Sequence, residues 1–200
     1  MASSEKQHSP FYYQGEYRNC EITIDIIDDQ YIGESKFHGQ TMATITGDTF
    51  EETLQSLRNS TDQYHHFRQQ QRKTEQISDS DYYSAMKVIL ALVTPSQRRL
   101  LLSHLQEPDY QCDVDHLLKV AELHSTIQLL LSYADIARKL SDELAYVPPG
   151  SLSVIDPTIC VLMTPTGILT NRAAYDEMRT LQLRPEVAKA LASMTEYLNV

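Results

Sequence analysis

Between Thr94 and Leu144 the chain marks helix starts and stops so densely that this stretch constrains everything around it. Thr94-Pro95-Ser96-Gln97 is a helix opening: the threonine hydroxyl can accept from free N–H groups of the first turn, and a glutamine three residues on can reach back to the cap. Pro95 falls on the first helical position, where its missing N–H costs nothing. Leu101, Leu102 and Leu105 follow at helical spacing, and Glu107-Pro108-Asp109 breaks the helix. Asp113 is the next cap, with Leu117, Leu118 and Ala121 on the buried side. Ser125-Thr126-Ile127-Gln128 is a second capping box and opens a longer helix through Leu129, Leu130, Tyr133, Ala137, Leu140 and Leu144. Steps of three and four place these residues on one stripe. Val147-Pro148-Pro149-Gly150 stops the helix.

Three helices with tight connections resemble the core of a helix-turn-helix module. Downstream, Ile159-Cys160-Val161-Leu162-Met163 reads as a strand, Thr164-Pro165-Thr166-Gly167 as a turn and Ile168-Leu169-Thr170 as the returning strand. Helix, helix, helix, hairpin is the order of a winged helix. A small helical bundle that only packs satisfies the same pattern. The charges favour the bundle: a groove-reading helix presents Arg, Lys, Asn or Gln, whereas here Arg138 and Lys139 share their helix with Asp135, Asp142 and Glu143.

Upstream the periodicity changes from helical to alternating. Cys20-Glu21-Ile22-Thr23-Ile24-Asp25-Ile26 is a half-buried strand, Asp28-Asp29 a turn, Gln30 to Phe37 the returning strand, His38-Gly39-Gln40 a second turn and Thr41 to Ile45 a third strand. The aromatic-rich segment from Phe11 to Tyr17 docks the tail onto this sheet. Thr49-Phe50-Glu51-Glu52 then caps a long helix reaching Gln70, with Phe50, Leu54, Leu57 and Tyr64 as its apolar stripe. Ser78-Asp79-Ser80-Asp81 caps another helix through Tyr82, Met86, Ile89, Leu90 and Val93. Val154 and Ile155 begin a short strand, Asn171 caps a short helix through Tyr175 and Met178, and a last helix runs from Pro185 to near Leu198 with Val187, Leu191 and Met194 buried. The expected fold class is α+β: a small antiparallel sheet with one helix, followed by a mainly helical, winged-helix-like module. The expected organisation is a disordered tail over 1–10, a three-stranded sheet plus helix over 11–72, a linker over 73–78 and a helical module with a β-hairpin over 79–200.

The 200 residues carry a formal net charge of −10, which disfavours broad non-specific binding to nucleic acid and suits steering toward a basic partner. A hydrophobic fraction of 42% supports a packed core, and there is no apolar run long enough for a transmembrane helix. The polar start, Met1 to Pro10, lacks the apolar centre of a signal peptide, so the expected location is cytoplasmic. Cys20, Cys112 and Cys160 are far apart and form no C-x-x-C pair, so a zinc knuckle and a redox motif are both unsupported. Cys20 and Cys160 fall in expected strands and read as buried thiols.

The run Ala43-Thr44-Ile45-Thr46-Gly47-Asp48-Thr49-Phe50-Glu51-Glu52-Thr53-Leu54 resembles HicB-like antitoxin domains, in which a strand likewise enters a glycine-aspartate-threonine turn and a helix opened by paired glutamates. The resemblance covers about a quarter of the chain. It implies a protein that binds and silences a small basic RNase toxin and that often carries a separate DNA-binding domain. The Thr-Pro-Ser-Gln opening at 94–97, Ser141-Asp142-Glu143-Leu144 and Arg184-Pro185-Glu186-Val187-Ala188 resemble a poorly characterised bacterial helical module associated with restriction-endonuclease-like proteins, for which no catalytic residues follow.

One constellation has the order of a metal-dependent nuclease: Asp25 on one strand, then Glu34-Ser35-Lys36 on the next, as in a PD-(D/E)xK site. Two carboxylates would hold magnesium and the lysine would activate water. Such an enzyme normally has a helix before this sheet strand, and here only the tail precedes it; Glu-x-Lys on an exposed strand face is also a common cross-charged surface. Cys112 and His116 are four apart, yet Asp113 as cap leaves Cys112 outside the helix, and His104 and His124 complete no ligand set. A serine-centred glycine elbow and a phosphate-cradling glycine loop are both absent from the sequence.

The expectation is therefore a non-catalytic acidic binding protein, antitoxin-like or a phage-defence or anti-defence adaptor. It has no catalytic, metal or cofactor residues. Its partner is a basic toxin or nuclease, and no membrane is involved. The helical part would supply homodimerisation or DNA contact. The candidate contact residues for a partner or nucleic acid are Arg58, His65, Arg68, Arg72, Lys73, Arg138 and Lys139. For the group closing the first long helix, cations at a negative helix terminus are the structural reading and a basic spot the functional one. The alternatives are a DNA-binding regulator acting through the winged-helix-like module and the nuclease.

Overall fold

The computed structural model describes residues 12–72, 77–147, 156–164 and 179–195. The chain divides into two compact units, Met1–Phe67 and Arg68–Val200. Together they make an α+β protein in which an antiparallel sheet is followed by a mostly helical region.

The first unit is a meander of four strands, β1 (Tyr13–Tyr17), β2 (Cys20–Ile27), β3 (Gln30–Phe37) and β4 (Gln40–Gly47), followed by helix α1 (Phe50–Arg72), which continues into the second unit. The expected three strands thus become four, because Tyr13–Tyr17, within the segment expected to dock the tail, forms a strand. Tyr13 to Tyr17 pairs antiparallel with Ile24 to Cys20. All three hairpins turn on two residues with positive φ: Arg18 and Asn19, Asp28 and Asp29, His38 and Gly39. That geometry matches the right-handed twist of the flanking strands. Asn, Asp and Gly tolerate it; Arg18 does so at a cost.

The α1 seam differs from the expected stripe. Its buried residues are Thr53, Leu57, Thr61 and His65, while Phe50, Leu54 and Tyr64 are half-buried on its flanks. The reason lies in the sheet. At Gly33 an added Cβ would stand 2.5 Å from Leu57 Cδ1 and 2.9 Å from Thr53 Cγ2, so the helix sits where only a narrow seam fits. Threonines suit that seam because their hydroxyls are satisfied locally: Thr53 donates to Thr49 O at 2.9 Å and Thr61 to Leu57 O at 2.9 Å.

The second unit contains α2 (Asp79–Ile89), α3 (Pro95–Leu105), a 3₁₀ turn (Pro108–Tyr110), β5 (Gln111–Asp113), α4 (Val114–Ala121), α5 (Thr126–Leu144), α6 (Ile159–Leu162), β6 (Thr180–Gln182) and α7 (Pro185–Ala192). The caps are where the sequence puts them. Thr94 and Gln97, and Ser78 and Asp81, form reciprocal boxes; Asp113 accepts from Asp115 and His116; Ser125 accepts from Gln128. The Ser125 box is not reciprocal, because Gln128 Oε1 takes the His124 N–H instead, at 2.9 Å. Helix α5 ends three residues before the prolines, on Ala145 at φ 51°. Bonds from Ala145 N to Asp142 O and from Tyr146 N to Ser141 O then satisfy the last carbonyls. The expected stripe Leu129, Leu130, Tyr133, Ala137, Leu140 and Leu144 is buried throughout.

Of the strand expected over Ile159–Met163, Ile159–Leu162 is helical instead, with Cys160 in α6, and only Met163 is extended. Ile159 through Met163 are all buried, so every side of the segment faces protein. A short apolar run of this kind carries no period of its own, and packing decides its conformation. The winged-helix hairpin therefore lacks its first strand. The turn from Pro165 and the return over 168–170 lie outside the described residues, as do Val154, Ile155, Asn171, Tyr175, Met178, Leu198 and most of the expected tail and linker. The small second sheet pairs Gln111–Asp113 with Thr180–Gln182, and Met163 bridges to Leu183.

Candidate functional site

One face of the four-stranded sheet is covered by α1; its other face carries the charges. Strand alternation and register put Glu16, Glu21 and Lys36 in one cross-strand row and Gln14, Thr23, Glu34 and Thr44 in the next, while Asp25, Ile32 and Thr46 form a third. Glu16 and Glu21 are exposed, and Asp25, Glu34 and Lys36 are half-exposed. Four carboxylates thus share this face with one ammonium. Gln14 Nε2 donates to Glu21 Oε1 at 3.0 Å, and Lys36 Nζ pairs with Glu34 Oε2 at 2.8 Å. The hydrogen bond and charge of Glu34, with help from Glu21, hold the Lys36 ammonium above its ordinary range.

Asp25, Glu34 and Lys36 do share this face, as a nuclease site would need. Asp25 is opposite Ile32, however, and Glu34 is opposite Thr23, so the two carboxylates are diagonal neighbours. Among the described residues there is no group of three or more His, Cys, Asp or Glu side chains that could hold a metal ion.

The expected cationic contact residues are spread over several local structures. Arg58 stacks over the Tyr17 ring, 5.6 Å from its centre. His65 is fully buried, with Nε2 donating to Arg18 O at 2.9 Å and lying 3.8 Å from Cys20 Sγ, so it presents nothing to a partner. Arg68 donates to the carbonyls of Asp142 and Glu143 at 2.9 and 3.0 Å, neutralising the negative end of α5. Arg72 pairs with Asp81 at 2.7 Å. These two arginines, with Gln71 and Ala145, line a shallow cavity of about 170 Å³. Their guanidinium groups are engaged with protein acceptors. Lys73 lies outside the described residues. Arg138 lies 3.4 Å from Asp156, and Lys139 pairs with Asp135 at 2.6 Å.

The buried polar groups of the helical unit are structural. Gln97 Nε2 donates to Asp135 Oδ2 at 2.9 Å, tying the α3 cap to α5. His104 is buried against Tyr110 O and the Tyr133 hydroxyl, and desolvation pushes its pKa down to about 4. Burial, with the charge of Glu107 adding to it, pushes the Cys112 thiol up to about 11, the opposite of an activated nucleophile.

The sequence reading passed over Glu16 and Glu21 as a pair. The signal was present in Arg18-Asn19, a two-residue turn that folds Glu16 onto Glu21. No helix among the described residues is long and apolar enough to cross a membrane. Compared with known families, with curated proteins and with solved structures, the chain matches none.

Proposed function

We propose that this chain is a non-catalytic binding protein whose open, acidic sheet face docks a basic protein, of the kind represented by a small toxin or a defence nuclease. The observation that carries the reading is the imbalance on that face: Glu16, Glu21, Asp25 and Glu34 against Lys36 alone, on a sheet covered by α1 on its other side. Carboxylates placed on regular strands keep fixed spacings, and a field of one sign steers a partner of the opposite sign. The net charge of −10 works in the same direction. The DNA-binding alternative draws less support, because it leaned on a strand at 159–163 of which 159–162 is helical and on Arg138 and Lys139, which are held by Asp156 and Asp135.

The test is affinity capture from the native host at low salt with wild type and with Glu16→Lys/Glu21→Lys, followed by mass spectrometry. A basic protein retained by wild type and lost with the variant supports the reading. Recovery of the same proteins by both, or of none by wild type, overturns it.

A further inference from the structure

The edge of the sheet formed by β4 has a property that the open face does not. A two-residue hairpin closes on a hydrogen-bonded pair, here Ile27 and Gln30. Alternation along β3 then aims the backbone groups of Gln30, Ile32 and Glu34 at β2, and those of Tyr31, Gly33 and Ser35 at β4. Their partners Gly47, Ile45 and Ala43 are bonded inward. Thr44 and Thr46 therefore turn their N–H and C=O groups outward. The sheet order places β4 at the edge, and both threonines are exposed.

Edge strands are usually protected by charge, proline or a short length. Strand β4 has eight residues with no charged side chain and no proline, whereas β1 carries Glu16, β2 carries Glu21 and Asp25, and β3 carries Glu34 and Lys36. In a chain of net charge −10, β4 is the strand of this sheet along which two copies can approach without opposing like charges. Its pattern is also symmetric. Around Ile45 the residues read small, Thr, Ile, Thr, small: Ala43, Thr44, Ile45, Thr46, Gly47. A two-fold axis requires such self-complementarity, because the same patch must serve both partners.

We infer that β4 is a self-pairing edge, through which two copies of this chain join antiparallel into one eight-stranded sheet. The register is set by the outward groups. Thr44 of one copy exchanges both backbone hydrogen bonds with Thr46 of the other, and the reciprocal pair does the same. Ile45 then meets its own counterpart in the closer, non-hydrogen-bonded position, at roughly 4.5 Å between Cα atoms. The axis is perpendicular to the sheet. Both α1 helices lie on one side, where Ile45 is already half-buried against the Ile22, Ile24 and Leu57 cluster, and both acidic faces lie on the other. The inference is independent of the partner proposed above.

Sedimentation velocity of the full chain across micromolar concentrations tests it. Wild type is expected to show a monomer–dimer equilibrium. Thr44→Lys/Thr46→Lys places like charges in both reciprocal pairs and should weaken the dimer at least about tenfold. Thr44→Lys/Thr46→Glu places opposite charges in those pairs and should restore it. Lysine at 44 also faces Glu34 across the β3–β4 ladder, so the fold is not challenged by the substitution. Thr44→Pro gives a second route, because it removes an outward N–H and spares the inward ladder. Circular dichroism melts serve as the folding control for each variant. A wild type that stays monomeric throughout, a dimer indifferent to Thr44→Lys/Thr46→Lys, or a failure of the charge-swapped pair to restore association overturns the inference.

Discussion

Nε2 of His104 lies 2.8 Å from the Tyr133 hydroxyl, and Nδ1 of the same ring lies 2.9 Å from Tyr110 O. A carbonyl oxygen can only accept, so Nδ1 carries a proton; burial, which lowers the pKa to about 4, keeps a second proton off the ring near neutral pH, and Nε2 accepts from the tyrosine. The imidazole is therefore neutral and fully employed in a site without solvent access.

This arrangement makes stability depend on pH. Burial holds the folded-state pKa of His104 at about 4, against 6.5 for the free side chain. A depressed histidine pKa means that the unfolded chain binds the proton first. The contribution is complete above about pH 6.5 and is lost as pH falls toward 4, amounting to about 3 kcal/mol at the low end. Urea titrations from pH 7.5 to 5 should show stability falling in wild type. The slope should be flatter in His104→Leu, whatever that variant's absolute stability.

Tyr133→Phe removes the donor and leaves Nε2 buried without a partner. The expected cost is about 1–3 kcal/mol. It should read as a lower urea midpoint with an unchanged dependence on denaturant concentration, because the packed ring itself remains.

At Gly33 the close approach of α1 predicts a steric effect with a defined partner. Gly33→Ala sets a methyl against Leu57 Cδ1 in a fully buried seam, at a cost of about 1–3 kcal/mol. In the Leu57→Ala background the same change should cost less, because the nearest obstructing atom is gone, while the looser approach of Thr53 Cγ2 at 2.9 Å remains; thermal melts of the four proteins in the cycle measure the coupling. Gly39→Ala meets no atom within 4 Å, and its penalty of about 1 kcal/mol comes from φ +76° alone.

Gln97 does two jobs. Its Oε1 accepts from Thr94 N at 2.9 Å, and its Nε2 donates to Asp135 Oδ2 at 2.9 Å. Thr94→Ala should cost about 1 kcal/mol through the cap alone. Gln97→Ala should cost more, because Asp135 also loses a hydrogen bond. Burial pushes the Asp135 carboxyl up, but hydrogen bonds from Lys139 and Gln97, with the charges of Lys139 and Arg138, hold it below its usual range. Loss of the Gln97 bond should raise its pKa, and carboxylate NMR titration reads that directly.

Helix starts were legible because a cap is a local event: Ser78, Thr94, Asp113 and Ser125 each bond within three residues. The α5 stripe was legible because its period is strong and its whole length is buried. Strand β1 was missed because its inward positions are two half-buried tyrosines and a glycine, too short and too weakly apolar a set, and the turn at Arg18-Asn19 was not read. The basic spot was misleading for a different reason. Cations at steps of three and four, such as His65, Arg68 and Arg72, share a helix face, but a shared face does not leave them available to a partner. His65 is buried, Arg68 meets the α5 carbonyls and Arg72 meets Asp81.

What this sequence determined alone is the content of short-range rules: where helices begin, where two of the three hairpins turn, and which faces of α2 and α5 are apolar. The tertiary structure decided the rest. It made Ile159–Leu162 a helical turn inside a core and paired Gln111–Asp113 with residues some 70 positions away. It set Thr53 and Leu57 of the α1 seam against Gly33, and left the backbone groups of Thr44 and Thr46 on β4 turned outward. The physical reason is common to all of these. Capping and turn energies are set within a few residues, whereas the conformation of an unpatterned apolar run, the width of a packing seam and the partner of a strand depend on groups brought together only by folding.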